Sequence, residues 1–153
     1  MGAAYFYHLT ERPLEATLPV LLSKALDAGW KVAVRGRDQA LLDRLDRHLW
    51  TGDGFLPHGL AGGENDALQP VLLTTETRCA NAPECVMSVA GADVAPDEVL
   101  SLERVCILFD GADPQALEHA RNQWRTLTAA GVAAQYWAEE DGRWIKKAES
   151  DAA

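Results

Sequence analysis

The run Val105-Cys106-Ile107-Leu108-Phe109 constrains the fold more than any other stretch of this chain. Five consecutive apolar residues with no polar alternation suit a strand covered on both faces, which is the usual lot of a central parallel strand. A helix start follows at once, with Asp113 placed to cap and Pro114 at the first helical position. Leu117, Ala120, Trp124 and Leu127 then recur at helical spacing until Gly131. A buried strand feeding an amphipathic helix is half of a β-α-β unit, and the rest of the chain repeats the theme.

Tyr5-Phe6-Tyr7-His8-Leu9 reads as a first strand, broken at Pro13. Leu14, Leu18, Leu21, Leu22 and Ala25 mark a helix up to Gly29, with Pro19 inside it, so this helix is kinked there or begins later. Lys31 to Arg35 reads as a strand. Asp38 can cap a second helix carrying Leu41, Leu42, Leu45 and Leu49 on one face. Val71 to Thr75 and Cys85 to Val89 read as further strands. Between them and the second helix, residues 51–69 hold five glycines and one proline and read as a long irregular connection. Val132 to Trp137, a turn at Asp141-Gly142, and Arg143 to Lys146 suggest a terminal hairpin. The alternation predicts an α/β sandwich with a largely parallel sheet. It forms one domain over residues 1–147, with a polar, disordered tail over 148–153.

Charge narrows the functions. The 153 residues carry 14 Lys+Arg against 23 Asp+Glu, a net of −9. That balance argues against direct binding to a phosphate backbone and against an anionic membrane surface. Its distribution says more. Residues 1–50 have seven cations and six acids; residues 51–101 have Arg78 alone against eight acids; residues 102–153 have six cations and nine acids. The acidity is concentrated in the middle third. No apolar run reaches the ~18–20 residues of a membrane span, and no basic region followed by an apolar stretch opens the chain. Three cysteines (Cys79, Cys85 and Cys106) without a CxxC spacing suggest neither a disulfide framework nor a zinc site. The chain reads as cytoplasmic, with its cysteines in strand-like runs as reduced, buried thiols.

The motifs of catalysis and nucleotide binding are missing. The first strand-to-helix turn, Leu9 to Pro13, has no glycine to admit a pyrophosphate. Gly52-Asp53-Gly54 runs into Phe55 and Leu56 rather than a helix start. His8, His48, His58 and His119 form no metal-binding spacing, and no GxSxG occurs. Neither a cofactor nor a metal is expected. Asp110, after the central strand, stands where α/β enzymes often place a carboxylate, though Asp110-Gly111 also reads as a plain turn.

Arg121, Trp124 and Arg125 lie at i, i+3 and i+4 on one helix surface. Two guanidinium groups flanking an indole can receive a carboxylate beside an apolar group. The plainer reading is a Trp on the core seam between two solvated arginines. Trp50 and Phe55 bracket the start of the glycine-rich connection, either as core plugs or as anchors for a partner.

Several of these stretches together resemble the chi subunit family of bacterial DNA polymerase III. They are Tyr5 to Leu9, Leu49-Trp50, the block Phe55-Leu56-Pro57-His58-Gly59-Leu60-Ala61-Gly62, Pro70 to Leu73, and the helix with Arg121, Trp124, Arg125 and Ala130-Gly131. The block from Phe55 is the most specific, and the likeness runs from Tyr5 to about Trp137. The resemblance implies a Rossmann-like three-layer fold and a non-catalytic subunit of the clamp-loader assembly. It further implies that Arg121, Trp124 and Arg125 bind the acidic C-terminal tail of single-stranded-DNA-binding protein. Trp50 and Phe55 would meet the psi subunit or, in some members, a helicase. Leu117 and Thr128 replace cations that the pattern would have, which implies a weaker tail site. The remaining alternative is a small-molecule or nucleotide-binding α/β domain with a site near Asp110.

Overall fold

The structure is a computed structural model that describes residues 2–51 and 56–152. Its centre is a mostly parallel sheet of eight strands. In chain order the elements are β1 (Ala3–Leu9), α1 (Leu14–Asp27), β2 (Val32–Arg35), α2 (Gln39–Thr51), β3 (Gly59–Leu60), β4 (Val71–Thr74), β5 (Cys85–Val89), α3 (Pro96–Ser101), β6 (Arg104–Asp110), α4 (Pro114–Ala129), β7 (Ala133–Glu140) and β8 (Arg143–Ser150). The strands lie in the order β3-β4-β2-β5-β6-β1-β7-β8, and only the β7–β8 pair is antiparallel.

The strands' period of two sorts the core into two layers. Cys106 and Leu108 of β6 join Leu18, Leu21 and Leu22 of α1 and Leu41, Leu42, Leu45 and Leu49 of α2. Val105, Ile107 and Phe109 join Val99 of α3 and Ala120 and Leu127 of α4. The continuous apolar run is central, as its composition requires, because both of its faces are covered by helices. The α/β sandwich with its terminal hairpin is therefore the fold observed.

Several boundaries differ from the sequence expectations for identifiable reasons. α1 begins at Leu14 and continues through Pro19, whose lost backbone bond is offset by a face of buried leucines. The connection after α2 is not wholly irregular. Gly59 and Leu60 pair with Leu72 and Leu73 as an edge strand, and Asp66–Leu68 form a 3-10 turn. α3 was not legible, because six residues with one buried side chain, Val99, generate no period. The expected disordered tail is in part strand: β8 extends to Ser150, with Ala134 opposite Ser150 and Gln135 hydrogen-bonded to Glu149 at 3.1 Å. Its polar composition reflects an outer strand facing water. Cys79 lies in the loop before β5, not in a strand as expected; Cys85 and Cys106 are buried in strands. The hydrogen bond with the neighbouring Cys106 thiol, and then burial, raise the Cys85 pKa and keep it protonated.

One buried ion pair ties the two halves of the sheet's carboxyl end together. Arg35, at the end of β2, donates Nη1 to Glu98 Oε1 at 2.8 Å and Nη2 to the other oxygen of the same carboxylate. It also donates to the carbonyls of Asp93 and Thr77. The guanidinium is only 5% exposed. Glu98→Ala strands this charge without its partner, and the expected cost is about 3 kcal/mol of unfolding free energy in urea denaturation. A loss below about 1 kcal/mol would show that water takes over the carboxylate's role.

Candidate functional site

α4 crosses from β6 to β7 over β1, and that path brings the arginine–indole helix onto the strand of the first aromatic run. Phe6 and His8 are two residues apart on β1 and share one face. In register, Phe6 lies between Ile107 and Tyr136, and His8 lies between Phe109 and Ala138. Trp124 descends from α4 edge-on to Phe6, with ring centroids 5.3 Å apart, and lies 6.1 Å from Tyr136. Tyr136 stacks nearly parallel to Phe6 at 6.4 Å and hydrogen-bonds through its hydroxyl to His8 Nδ1 at 2.8 Å. Phe6 is fully buried, whereas Trp124 and Tyr136 are half-buried. The result is an aromatic platform with a closed floor and an open top.

The plainer reading of Trp124 thus describes its inner face, which packs on the core. Arg121, three residues before it on the helix, and Arg125, the residue after it, are both exposed. Arg125 Nη1 donates to Asn122 Oδ1 at 3.1 Å, and among the described residues neither arginine is in an ion pair. Thr128 turns its hydroxyl back to the Trp124 carbonyl at 2.7 Å. It is occupied with its own helix and offers no charge outward. Leu117 faces the α4 core layer and is half-buried.

His8 and Tyr136 are the members that sequence reading missed. The i, i+2 spacing of Phe6 and His8 was a visible signal. The partnership with Tyr136 depends on the β1–β7 register, which no local pattern reveals. Gly111 is part of the arrangement too. A Cβ there would stand 1.8 Å from His8 Nε2, so only glycine leaves room for the ring. Asp110, the last residue of β6, is exposed, and its Oδ1 accepts the Ala112 N–H at 2.9 Å.

Electrostatics link His8 to the arginines. Burial is the larger cause that lowers its pKa from the ordinary 6.5; the positive charge of Arg121 lowers it further, against a smaller opposing pull from Asp110. Burial raises Tyr136, while Arg121 opposes that shift.

The second group of expected residues lies at the other end of the sheet. Trp50, in the last turn of α2, is 55% exposed. Its ring lies over His58 with centroids 4.4 Å apart. The His58 side chain is fully buried, with Nδ1 2.7 Å from the Leu56 carbonyl and Nε2 facing the carbonyl and carboxylate of Asp46. His58 therefore pins the Pro57-His58 segment to α2 and backs Trp50. Phe55 lies outside the described residues. The structure does not bring Trp50 to the Arg121–Arg125 helix; Trp50 belongs to α2 on the opposite layer.

What the fold and these surfaces define is an α/β domain with presented aromatic side chains. Among its described residues no cluster of His, Cys, Asp and Glu can hold a metal, and no helix is long and apolar enough to cross a membrane. The family model for the DNA polymerase III chi subunit, HolC, matches residues 1–135, and the chain belongs to that family. Its role is that of a DNA polymerase III subunit in DNA replication. The match ends within β7, so that strand from Tyr136 onward and all of β8 lie beyond it. No curated protein matches the chain.

A titration of the His8 ring by NMR is expected to give a midpoint below 6.5. Arg121→Gln should move it upward but short of 6.5, since burial is the larger cause. The sign for stability follows from linkage. As pH falls through 6.5, the unfolded chain takes the proton first, so the folded state loses stability. Urea midpoints measured either side of that pH should converge when His8 is replaced by Gln.

Proposed function

We propose that this chain is the adaptor through which the polymerase holds single-stranded-DNA-binding protein, and that it does so by taking that protein's acidic C-terminal tail on α4. The observation that carries this reading is that Arg121 and Arg125 are both exposed on the helix whose half-buried Trp124 packs edge-on to Phe6. Carboxylates of the tail meet the arginines, and its terminal apolar side chain packs on the indole. Charge-assisted hydrogen bonds supply direction there. The aromatic contact supplies area on a ring whose orientation Phe6 and Tyr136 already hold. Because the platform is set before binding, little ordering cost remains to be met on the protein's side.

Membership of the chi family supports this reading, as does the acidic balance of the whole chain, which leaves DNA itself to the partner. In the same reading Trp50 and Phe55 meet the psi subunit, through which the chain joins the clamp loader, or a helicase. His58 holds Trp50 outward for that contact. Trp50 on α2 and Trp124 on α4 belong to opposite layers of the sheet, so contacts at the two can be made at once. With Leu117 and Thr128 in place of cations, the tail relies on two arginines.

Isothermal titration with an acidic peptide ending in phenylalanine tests the tail site. Arg125→Glu should weaken binding by at least about tenfold, equivalent to the ~1.4 kcal/mol expected of a lost charge-assisted contact. The exposed position of Arg125 leaves the fold intact, as circular dichroism should show. Unchanged affinity would remove Arg125 from the site. The wild-type affinity should also fall with added salt.

A further inference from the structure

Arg104, the first residue of β6, is half-buried on the layer of α1 and α2. Among the described residues its guanidinium has neither an ion pair nor a hydrogen bond. Its central carbon lies over two rings, 4.0 Å from the centroid of Tyr5 and 5.2 Å from that of Trp30. Aromatic faces fix the plane of a guanidinium but take up none of its N–H groups. Nε is buried without an acceptor, whereas the two terminal nitrogens stay open to solvent. Arg35 shows the alternative, where the fold itself supplies one carboxylate and two carbonyls. A charge partly withdrawn from water and left without an acceptor is costly, and an anion relieves that cost.

Arg104 lines a recess of about 100 Å³ between α1 and the sheet, together with Tyr7 and Lys24. No Asp or Glu lines it, so in a chain with a net of −9 the recess is a local excess of positive charge. The carboxyl end of α1 does not consume that charge. The N–H groups of Ala28, Gly29 and Trp30 bond to the carbonyls of Lys24, Leu26 and Ala25, so the last turn closes on itself. The Tyr7 hydroxyl likewise has no partner among the described residues and is not closed off. Burial, the largest cause, raises its pKa, so the hydroxyl stays protonated and can donate. Leu21 and Ala25 of α1 and Met87 of β5 give the recess an apolar wall.

We propose that this recess binds a small monocarboxylate with a short hydrocarbon body. The carboxylate oxygens take the terminal N–H groups of Arg104, whose planar fork matches a carboxylate. Tyr7 donates to one of those oxygens, and Lys24 adds charge at the rim. The hydrocarbon packs on Leu21, Ala25 and Met87. The volume admits a body of about three or four carbons, since a cavity of ~150 Å³ holds benzene. Phosphate suits the recess less, because most of its oxygens would face hydrocarbon without a donor. Tyr5 and Trp30 hold the guanidinium before the ligand arrives, which lowers the cost of binding.

The test is a ¹H–¹⁵N NMR titration of the whole chain with butyrate at constant ionic strength. Inorganic phosphate and butanol serve as comparison ligands. Butyrate should bind saturably in the millimolar range, moving the Trp30 indole N–H and the backbone amides of Ala25 and Cys106. Phosphate and butanol each lack one half of the chemistry and should bind at least about tenfold more weakly. Arg104→Gln should weaken butyrate by about tenfold or more. Lys24→Glu, at an exposed position that leaves the fold intact, should weaken it by about threefold. Arg121→Gln, on the other layer, should leave it unchanged, which separates this site from the tail surface proposed above. Butyrate that fails to saturate, or an affinity that survives both Arg104→Gln and Lys24→Glu, would overturn the proposal. So would phosphate that binds as tightly as butyrate.

Discussion

The contact of Trp124 with Phe6 is the interaction on which the arrangement depends. Phe6 is fully buried in β1, fixed by Ile107 on one side and Tyr136 on the other. An indole set edge-on to that ring has a defined height and tilt above the sheet. Helical spacing then places Arg121 and Arg125 on the same surface. The same ring system carries Tyr136, which holds His8, and His8 occupies the space that Gly111 leaves. Packing in the core therefore sets the geometry of an exposed, charged helix surface.

The distribution of charge gives that surface its meaning. A chain with a net of −9 repels phosphate at long range, yet two arginines without ion pairs among the described residues sit beside one indole. A ligand that is acidic and ends in an apolar group meets both parts of such a site, whereas a nucleic-acid backbone would also meet the surrounding acids. The buried Arg35–Glu98 pair makes the contrast plain. There a guanidinium is consumed by the fold, bound to one carboxylate and two carbonyls, and is lost to any partner.

Much of this was legible in the sequence, because the strongest local signals were also structural ones. The run from Val105 to Phe109 is central, Asp113 caps α4 by accepting the Gln115 N–H, and the leucines of α1 and α2 form one layer. Helical spacing put Arg121, Trp124 and Arg125 on one helix, where both arginines are exposed and Trp124 is half-buried; the binding role given to them came from the family resemblance. The remainder depended on contacts between distant residues. Nothing local announces that β1 lies between β6 and β7, so the pairing of His8 with Tyr136 across 128 positions was invisible. The six residues of α3 are too few for a period. β8 beyond Lys146 reads as polar because it is an outer strand, where alternation with a buried face is lost. No local pattern marks Gln123, and only the tertiary fold shows that its amide is buried without a partner.

The most direct measurement of the central claim is the pKa of His8, read by NMR of its imidazole, with and without a saturating acidic peptide ending in phenylalanine. Arg121 helps hold that pKa below its ordinary value. Carboxylates seated on Arg121 would offset its charge, so the account predicts that the His8 pKa rises on binding. It also predicts that the rise disappears in Arg121→Gln. A peptide that binds saturably while the His8 pKa stays unchanged would place the tail elsewhere and contradict the account.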